Sequence, residues 1–220
     1  MLLPGNIKLI VFDWNGTLVN DIPYHMEAYR IVLKDFGIDA KNEELKRIIG
    51  RSSTTEVIEY FERKYNIRVD FDVIRERKIK KYLEVIKGKA LFFPNELKIL
   101  QRLAKRYVLA MFTGSNKKQL TKVIPNNVKS LFKVIVSDDD VKNKKPDPEG
   151  LFMILRAVNV ESNHACFVGD TARDMLTAKN AAMHAVGVLS GVDDGGKLRE
   201  AGAEIIFKNV VEFGEYMLKS

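Results

Sequence analysis

Ile7-Lys8-Leu9-Ile10-Val11-Phe12-Asp13-Trp14-Asn15-Gly16-Thr17 is a short apolar run that stops abruptly in polar, turn-forming residues. A run of that length, rich in branched side chains and closed by a turn signal, reads as a strand buried on both faces. Five further runs have the same character: Tyr107 to Phe112, Phe132 to Val136, Ala165 to Val168, Ala185 to Val188 and Glu204 to Phe207. Their apolar residues are continuous rather than alternating, and helix-length amphipathic segments separate the later ones. That pattern predicts an α/β fold, a Rossmann-like three-layer core in which helices cover both faces of a parallel sheet. Between the first two strands lie roughly ninety residues without a comparable strand. There the spacing predicts helices over Tyr24 to Phe36, Glu43 to Ile49, Thr54 to Tyr65 and Phe71 to Ile86, with Ala28, Ile31, Val32 and Phe36 sharing one face. Such helices need a core of their own, so residues 19–89 are expected to form a helical insert. Residues 1–18 and 90–220 then make the sheet domain, and Gly88 and Pro94 bracket the return.

The chain has 220 residues, 46% hydrophobic and 30% charged, with only 14 Gly and 6 Pro. This composition buries a core and excludes disordered, collagenous and low-complexity classes. No apolar run approaches the roughly 18 residues of a membrane span, and Met1-Leu2-Leu3-Pro4-Gly5 lacks the charged start of a secretion signal. The expected location is therefore the cytoplasm, without a membrane partner. Cys166 is the one cysteine, so it forms no internal disulfide and reads as a small buried apolar residue. The 36 basic and 29 acidic side chains leave a net charge of +7. Much of the excess lies in residues 115–145, whose eight lysines face only Asp138, Asp139 and Asp140. Aromatic residues for base stacking are not interleaved with those lysines, which argues against a nucleic-acid partner. A steered anionic substrate and a lysine-rich thermophilic surface both remain compatible with the charge, and oligomeric state is not readable.

In doubly wound sheets the ligand lies beyond the carboxyl ends of the strands. The residues that follow the runs here are Asp13-Trp14-Asn15-Gly16-Thr17, Thr113-Gly114-Ser115-Asn116, Lys144-Lys145-Pro146-Asp147-Pro148 and Gly169-Asp170-Thr171-Ala172-Arg173-Asp174. Carboxylates, hydroxyls and an ammonium thus meet at one rim. Asp13, Asp170 and a backbone carbonyl offer the oxygen ligands that Mg²⁺ prefers, while Thr113 and Lys145 suit phosphate oxygens. Asp170 and Asp174 lie four residues apart, so on the first turn of a helix both would face one way. Taken singly, Asp13 also reads as a turn residue, Thr113 as a helix cap and Lys145 as a solvated charge. Trp14 reads first as a buried structural indole, and His25, His164 and His184 form no constellation.

With these four segments in order, the sequence resembles the haloacid dehalogenase superfamily, in particular its phosphoglycolate phosphatase and β-phosphoglucomutase-like branch. The resemblance covers most of the chain and implies a Mg²⁺-dependent phosphatase acting on small phosphorylated metabolites, with residues 19–89 as a helical cap. It implies that Asp13 is the nucleophile that becomes an aspartyl phosphate, and that Thr113, Gly114 and Lys145 bind the transferring phosphoryl group. The metal would be held by Asp13, Asp170 and the carbonyl of Asn15, with Asp174 in or just behind that shell. Gly50-Arg51-Ser52-Ser53 is similar to the family's substrate-specificity loop, where Arg51 would clamp a substrate anion.

One position departs from the pattern. The family's second aspartate, two residues after the nucleophile, is Asn15 here. That aspartate protonates the leaving group and then activates water, and an amide does neither near neutral pH. The departure keeps two further readings in view: a phosphonate hydrolase that uses a cap lysine, and a slow or inactive member that binds phosphorylated ligands.

Overall fold

The computed structural model describes residues 3–219. In chain order its elements are β1 (Leu9–Phe12), α1 (Ile22–Asp35), α2 (Asn42–Ile48), α3 (Thr54–Tyr65), α4 (Phe71–Val85), α5 (Glu96–Leu103), β2 (Val108–Phe112), α6 (Lys117–Val123) and α7 (Asn126–Lys129). There follow β3 (Val134–Val136), α8 (Glu149–Val158), β4 (Ala165–Gly169), α9 (Ala172–Asn180), β5 (His184–Val188), α10 (Gly195–Glu200), β6 (Ile205–Phe207) and α11 (Val210–Lys219), with a 3-10 turn at Ser162–His164. The chain divides into two compact units. One runs to Asn20 and resumes at Phe92, and the other is Asp21–Leu91.

The first unit is the expected α/β fold. Its six strands are all parallel, in the order β3-β2-β1-β4-β5-β6. Leu9, Ile10, Val11 and Phe12 have no exposed surface, as a central strand covered on both faces requires. Alternate side chains of a strand face opposite ways, and the two faces are filled differently. Val11, Phe112 and Phe167 pack with Leu151 and Ile154 of α8 and Met175 of α9. On the other face the Phe12 ring meets Phe213 of α11 edge-on at 6.1 Å. There α11 approaches α5 so closely that a Cβ on Gly214 would overlap Ile99.

β1 pairs with β2 on one side and β4 on the other, with Leu9 opposite both Val108 and Ala165. The strand order therefore reverses between β1 and β4, and the residues following those strands flank the resulting crevice. Some predicted boundaries shift. β3 holds only the three residues Val134–Val136, and Phe132, which precedes it, packs its ring edge-on against Phe12 at 6.5 Å. Cys166 is buried as read, and burial pushes its thiol pKa well above the ordinary value.

Glu96, at the start of α5, is fully buried. Its carboxylate oxygens lack a well-formed hydrogen bond, and burial pushes its pKa up to about 9 against only slight relief from the Phe93 N–H. The fold therefore holds a proton that the unfolded chain releases above its ordinary value of 4.5. Stability from this group is fully present below that value and is lost as pH rises toward 9. Glu96→Gln is expected to match the parent near pH 4.5 and to exceed it by up to about 3 kcal/mol at pH 7. Urea unfolding across that range measures the difference, which should widen steadily with pH.

The second unit is helical. Tyr29, Leu33, Leu45, Val57 and Phe61 form one cluster, and Val32, Ile58 and Ile74 form another. Ser53 and Glu56 make a reciprocal capping box at the start of α3, and Asp70 caps α4 through the Asp72 and Val73 N–H groups. α1 starts at Ile22, ahead of the predicted Tyr24, with Pro23 in its first turn. Its N-cap residue Asp21 does not cap with its side chain. The Asp21 carboxylate instead accepts from the Tyr82 hydroxyl at 2.7 Å and lies 3.3 Å from His25 Nε2, so α1 is tied to α4 at its first turn. His25 stacks on Tyr82, and the buried Lys78 ammonium lies 5.4 Å over the same ring. Burial lowers the pKa of His25, and lowers that of Lys78 to about 8. Among the described residues no helix is long and apolar enough to cross a membrane.

Candidate active site

Asp13 follows β1 directly and is nearly buried, at 7% exposure. Its N–H donates to the Val168 carbonyl of β4, which extends the ladder one residue beyond the strand. Asp13 Oδ1 accepts from Lys145 Nζ at 2.8 Å, and the same ammonium donates to Asp174 Oδ1 at 2.8 Å. The ammonium also lies 5.0 Å and 4.8 Å over the rings of Phe112 and Phe167. Lys145 comes from the loop between β3 and α8, but α9 positions it. The Arg173 guanidinium donates to the Lys145 carbonyl, and Asn180 Nδ2 donates to the Pro146 carbonyl at 2.9 Å.

Asp170 is fully buried. Its Oδ1 accepts from Thr17 Oγ1 at 2.8 Å, and its Oδ2 from the Val192 N–H at 2.9 Å. Gly16 lies against this carboxylate with φ of +76°, and a Cβ there would overlap it, so the turn after Asp13 requires glycine. The sequence expectation for Asp170 and Asp174 needs one correction. α9 starts only at Ala172 and its N-cap is Thr171, so Asp170 lies outside the helix and helical spacing is not what brings the pair together. Thr171 and Asp174 form a capping box in which Asp174 Oδ2 accepts from the Thr171 N–H at 3.1 Å and from Thr171 Oγ1 at 2.5 Å. Asp174 therefore caps the helix with one oxygen and faces Lys145 with the other.

Asp13, Asp170 and Asp174 each place a carboxylate oxygen within 4.8 Å of the others. Burial raises the Asp13 pKa to about 7; the neighbouring Asp174 adds to the rise and Lys145 opposes it. Burial, then the charges of Asp174 and Asp13, hold Asp170 well above its ordinary value. For Lys145 burial acts downward, but the two carboxylates outweigh it and hold its pKa above normal. Three carboxylates cluster here around an ammonium that bonds two of them, and the excess negative charge suits a hard divalent cation bound through oxygen. The donor set fits such an ion.

Thr113 is buried beyond β2, with its N–H bound to the Val136 carbonyl. It does not cap α6; Asn116 does so through the Gln119 N–H. Thr113 Oγ1 accepts from the Ser115 N–H at 3.1 Å, and the position a Gly114 Cβ would occupy opens on space. Asn15 Oδ1 accepts from Ser115 Oγ at 2.7 Å. The first unit thus brings Asp13, Asn15, Lys145, Asp170 and Asp174 together and sets Thr113 and Gly114 at the adjoining strand end. Trp14 is fully buried and packs edge-on against Phe92 at 5.5 Å, the structural role read first. Arg51 belongs to the helical unit, where its guanidinium donates to the Lys46 carbonyl of α2 at 2.7 Å.

The sequence places Thr17, Ser115 and Arg173 in the rim segments without giving them a partner, and it gives no sign of Asn180 or the Val192 N–H. The Thr171-x-x-Asp174 spacing was available as a capping-box signal. The other contacts join residues far apart in the chain and leave no local mark.

Known proteins resemble the chain over most of its length. A family model described as haloacid dehalogenase-like hydrolase matches residues 10–188. A phosphorylated carbohydrates phosphatase from Thermotoga maritima is 28% identical over 208 residues, which span 92% of this chain and 94% of that protein. A phosphoglycolate phosphatase from Pseudomonas fluorescens is 24% identical over 95% of this chain and 79% of its own length. Among solved structures, a hydrolase from Pseudomonas syringae superposes with a TM-score of 0.81 at 23% identity, covering 96% of this chain and 98% of that one. With a family match that starts inside β1 and ends at β5, the chain belongs to the haloacid dehalogenase-like hydrolases.

Proposed function

We propose that this hydrolase is a phosphatase of small phosphorylated metabolites and that Asp13 carries the phosphoryl group in its reaction. The reading rests on one observation above all: the Lys145 ammonium bridges the carboxylates of Asp13 and Asp174 beside Asp170. The relatives named phosphorylated carbohydrates phosphatase and phosphoglycolate phosphatase support the substrate class. Asp13 attacks phosphorus, the bond to the leaving oxygen breaks, and water later cleaves the aspartyl phosphate to phosphate and free carboxylate. Lys145, and Thr113 with Gly114, hold the phosphoryl oxygens in line with Asp13.

Mg²⁺ would be held by Asp13, Asp170 and the Asn15 carbonyl, with Asp174 beside them, and when bound it offsets charge on the phosphoryl oxygens. Thr17 and the Val192 N–H fix the Asp170 carboxylate for that task. The helical unit acts as the cap that selects the substrate, with Arg51 for its distal anion. The cytoplasm is the proposed location.

Protein incubated with Mg²⁺ and acetyl phosphate and then reduced with borohydride should carry homoserine at position 13, read by peptide mass. An unchanged Asp13 in a protein that turns over would remove the covalent route. Asn15 favours a second reading, a slow member that binds phosphorylated ligands without consuming them, for which no phosphate release under these conditions would speak.

A further inference from the structure

The amide that replaces a carboxylate beside the nucleophile is held in one orientation. Ser115 is 7% exposed and Gln119 only 1%; Ser115 immediately precedes the Asn116 N-cap of α6, and Gln119 lies in the helix's first turn. Gln119 Nε2 approaches Ser115 Oγ at 3.5 Å, and Ser115 directs its hydroxyl proton to Asn15 Oδ1 at 2.7 Å. Asn15 therefore meets the site as a fixed dipole that neither gives up nor takes a proton near neutral pH.

Lys145 and the histidines, the cationic groups that could replace a missing acid, are engaged or lie elsewhere in their own units. Two 2.8 Å bonds aim the Lys145 ammonium at Asp13 and Asp174. His164 precedes β4 and His184 begins β5, so both histidines of the sheet unit sit at the amino ends of strands, opposite the carboxyl-end rim of the site. His25 lies in the helical unit, stacked on Tyr82 beside Asp21. Within the sheet unit, neither Lys145 nor either histidine is set to protonate a departing alkoxide.

We propose that Asn15, locked by Ser115, makes this site selective for phosphoryl donors whose leaving oxygen is a weak base, acyl phosphates and phosphoanhydrides, over alkyl phosphate esters. The proposal rests on the phosphatase reading and narrows it. In the first step Asp13 Oδ bonds to phosphorus while the P–O bond to the leaving group breaks and its electron pair departs with that oxygen. A carboxylate or phosphate leaves as a stable anion and needs no proton, whereas an alkoxide does. In the second step water attacks phosphorus, the aspartyl P–O bond breaks, Asp13 recovers its carboxylate, and the proton passes to the released phosphate or solvent. That step is common to every donor and also lacks a base, so it limits kcat for the donors that transfer readily, while kcat/KM reports the first step for all of them.

The test compares kcat/KM for acetyl phosphate, p-nitrophenyl phosphate and glycerol 3-phosphate with Mg²⁺, in the wild-type protein and in Asn15→Asp. Wild type should favour acetyl phosphate over glycerol 3-phosphate by at least about 10³-fold and release one equivalent of p-nitrophenol per site in a burst. Asn15→Asp should raise the glycerol phosphate value by about 10² to 10⁴ and the acetyl phosphate value by less than about tenfold. Asn15 precedes Gly16, so the intact mass of fresh protein is recorded beside each rate to exclude deamidated material. Equal wild-type values for the two phosphates, or an equal gain on both in the variant, would overturn the proposal, and the wild-type comparison stands without the variant. Absence of phosphate release from all three donors overturns the phosphatase reading and this inference with it, a result distinct from turnover without selectivity.

Discussion

Asp13→Asn is expected to lower kcat for p-nitrophenyl phosphate by at least about 10⁴-fold, because an amide oxygen does not replace an attacking carboxylate. The same substitution tests the fold in the opposite direction. Burial raises the Asp13 pKa to about 7 from 3.8, so its contribution to stability is fully present below 3.8 and is lost as pH rises through 7. At pH 8 without added metal, the amide that the substitution introduces carries no buried charge and the melting temperature should rise, with an unchanged circular dichroism spectrum. Lost activity in a protein at least as stable as its parent identifies a chemical role for this carboxylate. A variant retaining more than about a tenth of the parent rate would remove the covalent mechanism.

The second large effect concerns the cation. Asp170→Asn should weaken Mg²⁺ binding by at least about 100-fold in calorimetric titration, because a charged oxygen ligand becomes neutral. The fold should tolerate the change, since the amide oxygen can accept from the Val192 N–H while its nitrogen donates to the Thr17 hydroxyl, which reverses its role. Lys145→Ala should act in the other direction on the same readout. Removing the ammonium between Asp13 and Asp174 leaves three carboxylates without their resident cation, so Mg²⁺ binding should hold or tighten while the KM for the phosphate substrate rises. Equal Mg²⁺ affinity in Asp170→Asn and wild type would assign the metal to other residues.

The parallel sheet was legible because Leu9, Ile10, Val11 and Phe12 are covered on both faces, and a strand so placed tolerates no polar alternation. The rim was legible for a related reason: strand ends force the chain into turns at one edge, and chemistry-bearing residues gather there. What local pattern could not supply was partnership. Thr17 reaches Asp170 across 153 positions of sequence and Ser115 reaches Asn15 across 100, and serine or threonine after a strand is equally at home as a simple turn residue. The expected β3 runs longer than the observed one because Phe132 is as apolar as the strand it precedes, and apolar pattern alone does not mark where backbone pairing begins. Asp170 and Asp174 were linked through an assumed helical turn, although the Thr171-x-x-Asp174 spacing already marked the true helix start.

The first turn of α9 carries a consequence for heat resistance of function. Asp174 Oδ2 closes the helix on Thr171, Asp174 Oδ1 faces Lys145, and Arg173 one residue earlier holds the Lys145 carbonyl. Helix ends open more readily than helix centres, and such local openings precede global unfolding. If this turn frays, the carboxylate, the ammonium and the backbone anchor disengage in a single event. Reversible loss of function on heating would then follow the hydrogen-exchange protection of the Asp174 amide rather than the melting of the sheet, and a better helix cap at Thr171 would extend the working range without touching a reacting atom.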